Sequence, residues 1–158
     1  MTEGGFRHGP RVAVDWGDVR IGVAACDADG VLAFPVSTVR AGMDELGDLA
    51  TVVAEYRPIE VLVGLPRSLS GEVGPAAALA RTRAERLARA VGVPVRLVDE
   101  RLSTVAAARR LRAAGRTARQ QRGLIDAAAA VDILEHALAV ERAQGHPPGE
   151  LVSAPGVD

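Results

Sequence analysis

Apolar and polar positions along the 158-residue chain predict strands first and helices later. Short apolar runs at residues 11–16, 20–27 and 31–38 predict three consecutive strands. The Asp-Ala-Asp-Gly sequence at residues 27–30 predicts a tight turn between the second and third strands. Pro35 inside the third run indicates a sheet edge or a bulge. The chain is therefore predicted to open with an antiparallel meander.

Strand and helix patterns alternate after this meander. Compact apolar runs predict strands at residues 59–64 and 95–98. Helical spacing and turn residues predict four helices, at residues 44–56, from Pro75 to Gly92, from Ser103 or Thr104 to Gly115, and at about 122–143. This order predicts one α/β domain over residues 11–143, in which helices flank a mixed five-stranded sheet. Residues 1–10 are expected to be a flexible leader, and residues 144–158 a disordered tail.

Composition excludes several classes of protein. No apolar run approaches the roughly 20 residues of a membrane span, and no signal peptide is visible at the start of the chain. The single cysteine, Cys26, excludes an internal disulfide and is expected to be a core residue, because it lies in an apolar run. We expect a cytoplasmic protein with no membrane partner.

The net charge of −1 conceals a strongly basic segment. Every basic residue other than histidine is arginine, and residues 81–122 hold twelve arginines against three acids, a net charge of +9. A dense local positive charge attracts polyanions, although a solvated helix face is the alternative. We expect nucleic-acid contact, in which the phosphate backbone is held by Arg109, Arg110, Arg112, Arg116, Arg119 and Arg122.

Three acidic residues are predicted to converge on one edge of the sheet. Asp15 ends the first strand and Glu100 follows the fifth. Asp126 lies on the apolar stripe of the last helix, whereas Asp132 falls on the opposite, solvent side. Sites in open α/β sheets form at strand ends, where packed carboxylates would repel one another unless cations neutralised them. The alternative for Asp15 is a simple turn residue.

Hard, oxygen-ligated cations suit such a group of carboxylates. Mg²⁺ or Mn²⁺ is therefore the expected cofactor, and two such ions can clamp the attacking and leaving oxygens in phosphoryl transfer. The three acids are the predicted metal ligands and catalytic residues. Arg20 and Arg101 lie close to them in sequence and are candidates to stabilise phosphate charge, although Arg101 is equally suited to pair with Asp99.

Four segments, in this order, resemble one known family: Asp15-Trp-Gly-Asp-Val-Arg-Ile-Gly-Val-Ala, Val63-Gly-Leu-Pro, Asp99-Glu-Arg-Leu-Ser-Thr and Ile125-Asp-Ala-Ala-Ala-Ala. The chain resembles, from about residue 11 to residue 143, the YqgF family, also called RuvX, of pre-16S rRNA nucleases or Holliday-junction resolvase-like proteins. The resemblance implies an RNase H-like fold and a metal-dependent nuclease site. The acids of that site fall on Asp15, Glu100 and Asp126.

The chain departs from the family pattern at two positions near these acids. Asp18 stands where the family usually has threonine, and is either an extra metal ligand or a turn residue; we favour the turn. Leu124 stands where lysine is common, and Arg122 is a candidate for that charge. The neighbouring Trp16 is expected to pack in the core rather than stack on bases.

Three functions remain open from the sequence. The family resemblance favours a two-metal phosphodiesterase that matures the 5′ end of pre-16S rRNA, free or in a ribosomal particle. A DNA nuclease for four-way junctions is the second, and would require a homodimer to cut two strands symmetrically. The third is a non-catalytic RNA-binding assembly factor.

Overall fold

A computed structural model describes residues 5–65, 74–99 and 118–152, and for residues 118–126 it describes the backbone alone. Within these ranges the strands are β1 (Arg11–Trp16), β2 (Arg20–Cys26), β3 (Ala33–Arg40), β4 (Glu60–Leu65), β5 (Val95–Asp99) and β6 (Glu150–Val152). The helices are α1 (Glu45–Tyr56), α2 (Pro75–Val91) and α3 (Ala118–Gln144). The predicted helix ending at Gly115 lies outside the described residues.

The six strands form one mixed sheet in the order β3-β2-β1-β4-β5-β6. Strands β1, β2 and β3 are antiparallel neighbours, as the meander predicts. Strand β4 pairs in parallel with both β1 and β5. The prediction of an α/β fold with a mixed sheet is therefore confirmed.

The prediction of five strands is wrong by one. β6 lies in the segment that was expected to be a disordered tail, and pairs antiparallel with β5. The Arg81 guanidinium of α2 also holds Glu150 of β6, with Nη2 donating to Oε1 at 3.1 Å. Three residues are too few to show a strand pattern in the sequence, so only these long-range contacts define the strand.

Helices cover both faces of the sheet, and strand alternation assigns each residue to one face. Val12 and Val14 of β1 face the core that α1 and α2 complete, whereas Ala13 faces α3. Small side chains such as Ala13 and Ala130 line this second core and let α3 lie close to the sheet. None of the helices in the described part of the chain has the length and apolar run that a membrane span needs.

Strand β3 begins two residues later than predicted. The Asp27 carboxylate accepts hydrogen bonds from the backbone N–H groups of Val31 and Leu32, at 2.8 and 3.0 Å, and so holds these two residues in the turn. Pro35 lies on an edge strand, and the pairing register shifts next to it, between Val23 and Ala24. The expectation of an edge or a bulge at Pro35 is met on both counts.

A buried network of charges joins the N-terminal segment, the sheet and α3. Arg7 donates to Glu141 through its backbone N–H and Nε, at 2.9 and 3.0 Å, and to Glu60 through Nη2 at 3.0 Å. Arg11, only 1% exposed, also pairs with Glu141, and Arg96 pairs with Glu60. Residues 5–10 are therefore fixed to the domain, and the expectation of a flexible leader is wrong for them.

The expectation that Asp132 faces solvent is also wrong, because its side chain is only 6% exposed. The buried positions of α3 between residues 127 and 134 occupy nearly its whole circumference: they are Ala127, Ala129, Ala130, Asp132, Ile133 and Leu134. Such a helix is buried on more than one stripe, so the angle of Asp132 around the helix axis does not predict that it is exposed to solvent. Glu135 is exposed, as its position predicts.

Replacing Glu141 should destabilise the fold strongly. The change Glu141→Gln leaves the buried Arg11 without its carboxylate partner, and breaking a buried ion pair costs about 3 kcal/mol or more. Urea unfolding at neutral pH measures the loss. The matched control is Glu135→Gln on the exposed side of the same helix, which should change stability by less than about 0.5 kcal/mol. Equal effects of the two changes would contradict the role of the network.

The same carboxylate predicts a defined acid sensitivity. Burial alone would raise the pKa of Glu141, but hydrogen bonds from Arg7 and the charge of Arg11 outweigh it and lower the pKa from 4.5 to about 2. The ionised form is thus favoured in the folded state, and its stabilisation is present above pH 4.5 and lost as the pH falls towards 2. The stability difference between the wild type and Glu141→Gln should shrink over that range. A constant difference would contradict the prediction.

Candidate active site

Asp15 lies near the end of β1 with its side chain on the face covered by α3. Strand alternation places it with Ala13, which packs in the α3 core, and opposite to Val14. Its side chain is half-buried. A carboxylate at the margin of an apolar core needs polar contacts, and Asp15 does have an interaction within the protein. The strand end that the sequence predicts for Asp15 is confirmed.

Two glycines flank Asp15 on the neighbouring strands. Gly22 of β2 pairs with Asp15, and Gly64 of β4 directly follows Val63, which is level with Val14. Residues opposite one another in a sheet share a face, so the positions directly beside Asp15 on both neighbouring strands contribute no side chain. Glycine weakens a strand and is typical of places where a ligand approaches the backbone closely. No role was predicted for these glycines from the sequence, although their place inside apolar strands was the available signal.

The end of β5 lies at the same edge of the sheet as Asp15. Strands β1, β4 and β5 are parallel, so their carboxyl ends meet at one edge. Strand β5 ends there with Asp99, two strand spacings or about 10 Å from β1. Glu100 follows directly in the sequence but lies outside the described residues. Its convergence with Asp15 stays a prediction.

Helix α3 carries Asp126 towards this edge. Glu141, near the end of the helix, contacts Arg11 at the start of β1, so the helix runs back over the sheet from that point. Asp126 precedes Glu141 by about 22 Å along the helix axis, whereas about 13 Å of β1 separate Arg11 from Asp15. The helix is therefore long enough for Asp126 to reach the level of Asp15, and the convergence of the two residues stays a prediction. The side chain of Asp126 lies outside the described residues.

Arg20 lies on the same face as Asp15. It begins β2 two residues before Gly22, the partner of Asp15, and a diagonal neighbour of this kind is about 7–8 Å away. The other predicted phosphate-binding arginines are not described in side-chain detail. Outside the described residues are Arg101, Arg109, Arg110, Arg112 and Arg116, and on the part of α3 with described backbone alone are Arg119 and Arg122.

The arginines of the basic segment that the structure does describe have mostly structural contacts. Arg81 pairs with Glu150, and Arg96 pairs with the buried Glu60. The guanidinium of Arg83 lies 5.6 Å from the centroid of the Trp16 ring. The net charge of the whole segment therefore overstates the positive charge that is available to a ligand.

The turn between β1 and β2 places two neighbours of Asp15. Gly17 donates its N–H to the carbonyl of Arg20 at 3.0 Å and closes the turn. Asp18 projects into solvent, 94% exposed, and its nearest charged partner is Arg83 at 3.9 Å. This placement favours a turn residue. Trp16 packs against the core on the α1–α2 face, as expected.

The described residues provide one suitable metal ligand, and a complete metal site would need further ligands. In the described ranges, no three His, Cys, Asp or Glu residues come together as a metal site. The Asp15 carboxylate is a hard oxygen donor, half-buried and with bare backbone on both sides, which suits Mg²⁺ or Mn²⁺. Glu100 and Asp126 are the predicted remaining ligands.

Comparison with solved structures identifies the class of fold. The chain matches Thermus thermophilus RuvC in complex with a Holliday junction substrate, with a TM-score of 0.55 and 19% identity over 89% of this chain and 99% of that one. It also matches a second Thermus thermophilus RuvC structure, with a TM-score of 0.51 and 18% identity over 88% and 99% of the two chains. At these identities the likeness concerns the fold, which is RNase H-like.

Comparison of sequences identifies the family. The family described as "RuvX: Holliday junction resolvase" matches residues 9–140. A protein of Streptomyces coelicolor is 57% identical over 151 residues, 93% of this chain and 90% of its own length. One of Nocardioides sp. is 53% identical over 153 residues, 93% and 98% of the two chains, and both carry the name "Putative pre-16S rRNA nuclease". The chain belongs to the RuvX family, and the resemblance seen in its motifs is confirmed.

The exposed position of Asp18 yields a prediction. The change Asp18→Ala should leave nucleic-acid cleavage unchanged, because the side chain points into solvent, and should alter stability by less than about 0.5 kcal/mol. Cleavage rates and urea unfolding measure the two effects. A loss of cleavage as large as that of an Asp15 variant would instead make Asp18 a ligand.

Proposed function

We propose that this protein is a metal-dependent nuclease that hydrolyses phosphodiester bonds of pre-16S rRNA, in the maturation of its 5′ end. The observation that carries the proposal is the half-buried Asp15 between Gly22 and Gly64, at the edge where three parallel strands end. The name shared by relatives more than 50% identical supports the substrate. Such a substrate implies a cytoplasmic site of action and makes ribosome assembly the process served.

The proposed chemistry divides between the protein and its metal. Asp15, Glu100 and Asp126 would hold Mg²⁺ or Mn²⁺, as one or two ions. The metal, when bound, would supply the Lewis acidity that activates water and neutralises charge on the phosphate oxygens. Backbone pairing of Asp15 with Gly22 holds the backbone that carries the carboxylate in a regular strand, which is a firmer support for a ligand site than a loop.

Arg20 has a separate role in this mechanism. Its place on the α3 face, diagonal to Asp15, puts a permanent positive charge beside the proposed phosphate site. A guanidinium there would orient the phosphodiester and stabilise the negative charge that develops on its oxygens. Gly22 and Gly64 add no side chain of their own beside the proposed site.

A four-way DNA junction is the second candidate substrate. The description of the matching family as a Holliday junction resolvase favours it. Two symmetric cuts would require two active sites, and hence a homodimer. The substrate and the oligomeric state are therefore linked in this alternative.

A cleavage assay on both substrates tests the proposal. Labelled pre-16S rRNA and a four-way DNA junction are incubated with Mg²⁺ or Mn²⁺, with EDTA, and with the Asp15→Asn protein. We expect metal-dependent cleavage of the RNA, and a loss of at least about 100-fold in Asp15→Asn, because an electrostatic catalytic group is typically worth this much. The control is the Asp18→Ala protein, which should retain its activity.

Each outcome of the assay has a distinct meaning. Cleavage of the junction alone would overturn the RNA substrate in favour of the DNA alternative. RNA binding without cleavage of either substrate would leave a non-catalytic assembly factor. Metal binding is followed separately by thermal unfolding, because a bound ion raises the Tm of the protein that holds it. That increase should be present in the wild type and absent in Asp15→Asn.

A further inference from the structure

Two arginines lie directly opposite each other on neighbouring strands at the edge of the sheet where Asp15 lies. Arg20 begins β2 and Arg40 ends β3, and the two residues are register partners. Residues opposite one another share a face, and the alternation of β2 puts Arg20 on the face of Ala24, which packs in the α3 core. Both guanidiniums therefore emerge on the α3 face of the sheet.

This pairing concentrates positive charge at one corner of the sheet. Like charges directly opposite each other are unfavourable for a pair of strands, and although Arg20 has a further interaction within the protein, Arg40 extends the positive charge to the edge strand. Arg40 is exposed, and no acidic group in the described ranges forms an ion pair with it. Two acids near this end of β3 have other partners: Glu45 accepts a hydrogen bond from the backbone N–H of Gly42, and Asp18, next to Val19 that pairs with Ala41, lies 3.9 Å from Arg83.

The two arginines and the proposed catalytic carboxylate lie in one row across the sheet. Asp15 is on β1, Arg20 on β2 and Arg40 on the edge strand β3, so the three lie on successive strands of one face. Adjacent strands are about 4.8 Å apart, which puts Arg40 about 10 Å from β1. Thr38 lies on the same strand and face as Arg40, and its hydroxyl is exposed as well.

We propose that Arg40, together with Arg20, binds the phosphate backbone of the substrate strand as it crosses β2 and β3 towards Asp15. An anionic phosphodiester between the guanidiniums would accept hydrogen bonds from both and would balance the charge of the exposed Arg40. The strand is thereby given a path, perpendicular to β2 and β3, that enters the site over the edge of the sheet. This inference rests on the proposed function, and adds to it a positioning residue and a direction for the substrate.

The test measures binding rather than cleavage. Affinity for a labelled single-stranded RNA is determined in EDTA over a range of salt concentrations, for the wild type and Arg40→Gln. Losing one phosphate contact should make the slope of log K against log salt less steep by about 0.7, and should weaken binding at low salt by up to about fivefold. Arg40→Lys, which keeps the charge, should retain most of the slope. The matched control is Arg86→Gln, an exposed arginine on α2 across the sheet, which should change neither quantity.

Thermal unfolding of the free protein separates binding from structure. Removing one of two repelling charges should leave the Tm of Arg40→Gln unchanged or slightly raised at low salt. A lowered Tm would make Arg40 a structural residue and overturn the inference. A salt slope equal to that of Arg86→Gln would overturn it too. If Asp15→Asn still abolishes cleavage in that case, the proposed function stands and only the path over Arg40 fails.

Discussion

The position of α3 along the sheet depends on a buried ion pair between Arg11 and Glu141. It joins the start of β1 to the end of the helix, and Arg7 completes it by donating to Glu141 from both backbone and side chain. A pair this deeply buried resists a change of register, because Arg11 without Glu141 would be a buried charge with no carboxylate partner. It thereby sets how far α3 reaches along β1, and hence where Asp126 arrives relative to Asp15.

At the opposite edge of the same sheet, where Asp15 lies, several features lower the stability of the fold. There Asp15 lies at the margin of a core, glycines replace larger residues on both adjacent strands, and Arg20 faces Arg40. Each of these features weakens a sheet, and each is suited to a ligand that brings positive charge to the carboxylate and negative charge to the arginines. A metal ion bound to a phosphodiester has both. Rigid packing at one edge of the domain thus supports a costly arrangement at the other.

Local patterns account for what the sequence could predict. Asp15 was recognisable because a charge at the end of an apolar strand is anomalous, and the bounds of β1 followed from its flanking residues. The Arg7–Glu141 contact was not predictable, because its partners are 134 residues apart. Strand β6 is defined by its pairing with β5, and the burial of Asp132 by packing around most of α3. Gly22 and Gly64 were visible in the motifs, but only the strand register showed that they flank one carboxylate.

The central claim is that Asp15 holds a divalent metal at the edge where β1, β4 and β5 end. The most direct measurement is an anomalous difference map from crystals of the protein grown with Mn²⁺. We predict a peak within coordination distance of the Asp15 carboxylate, shared with Glu100 and Asp126, and its absence in crystals of Asp15→Asn. Manganese bound elsewhere, with none at Asp15 in a well-ordered crystal, would contradict the account.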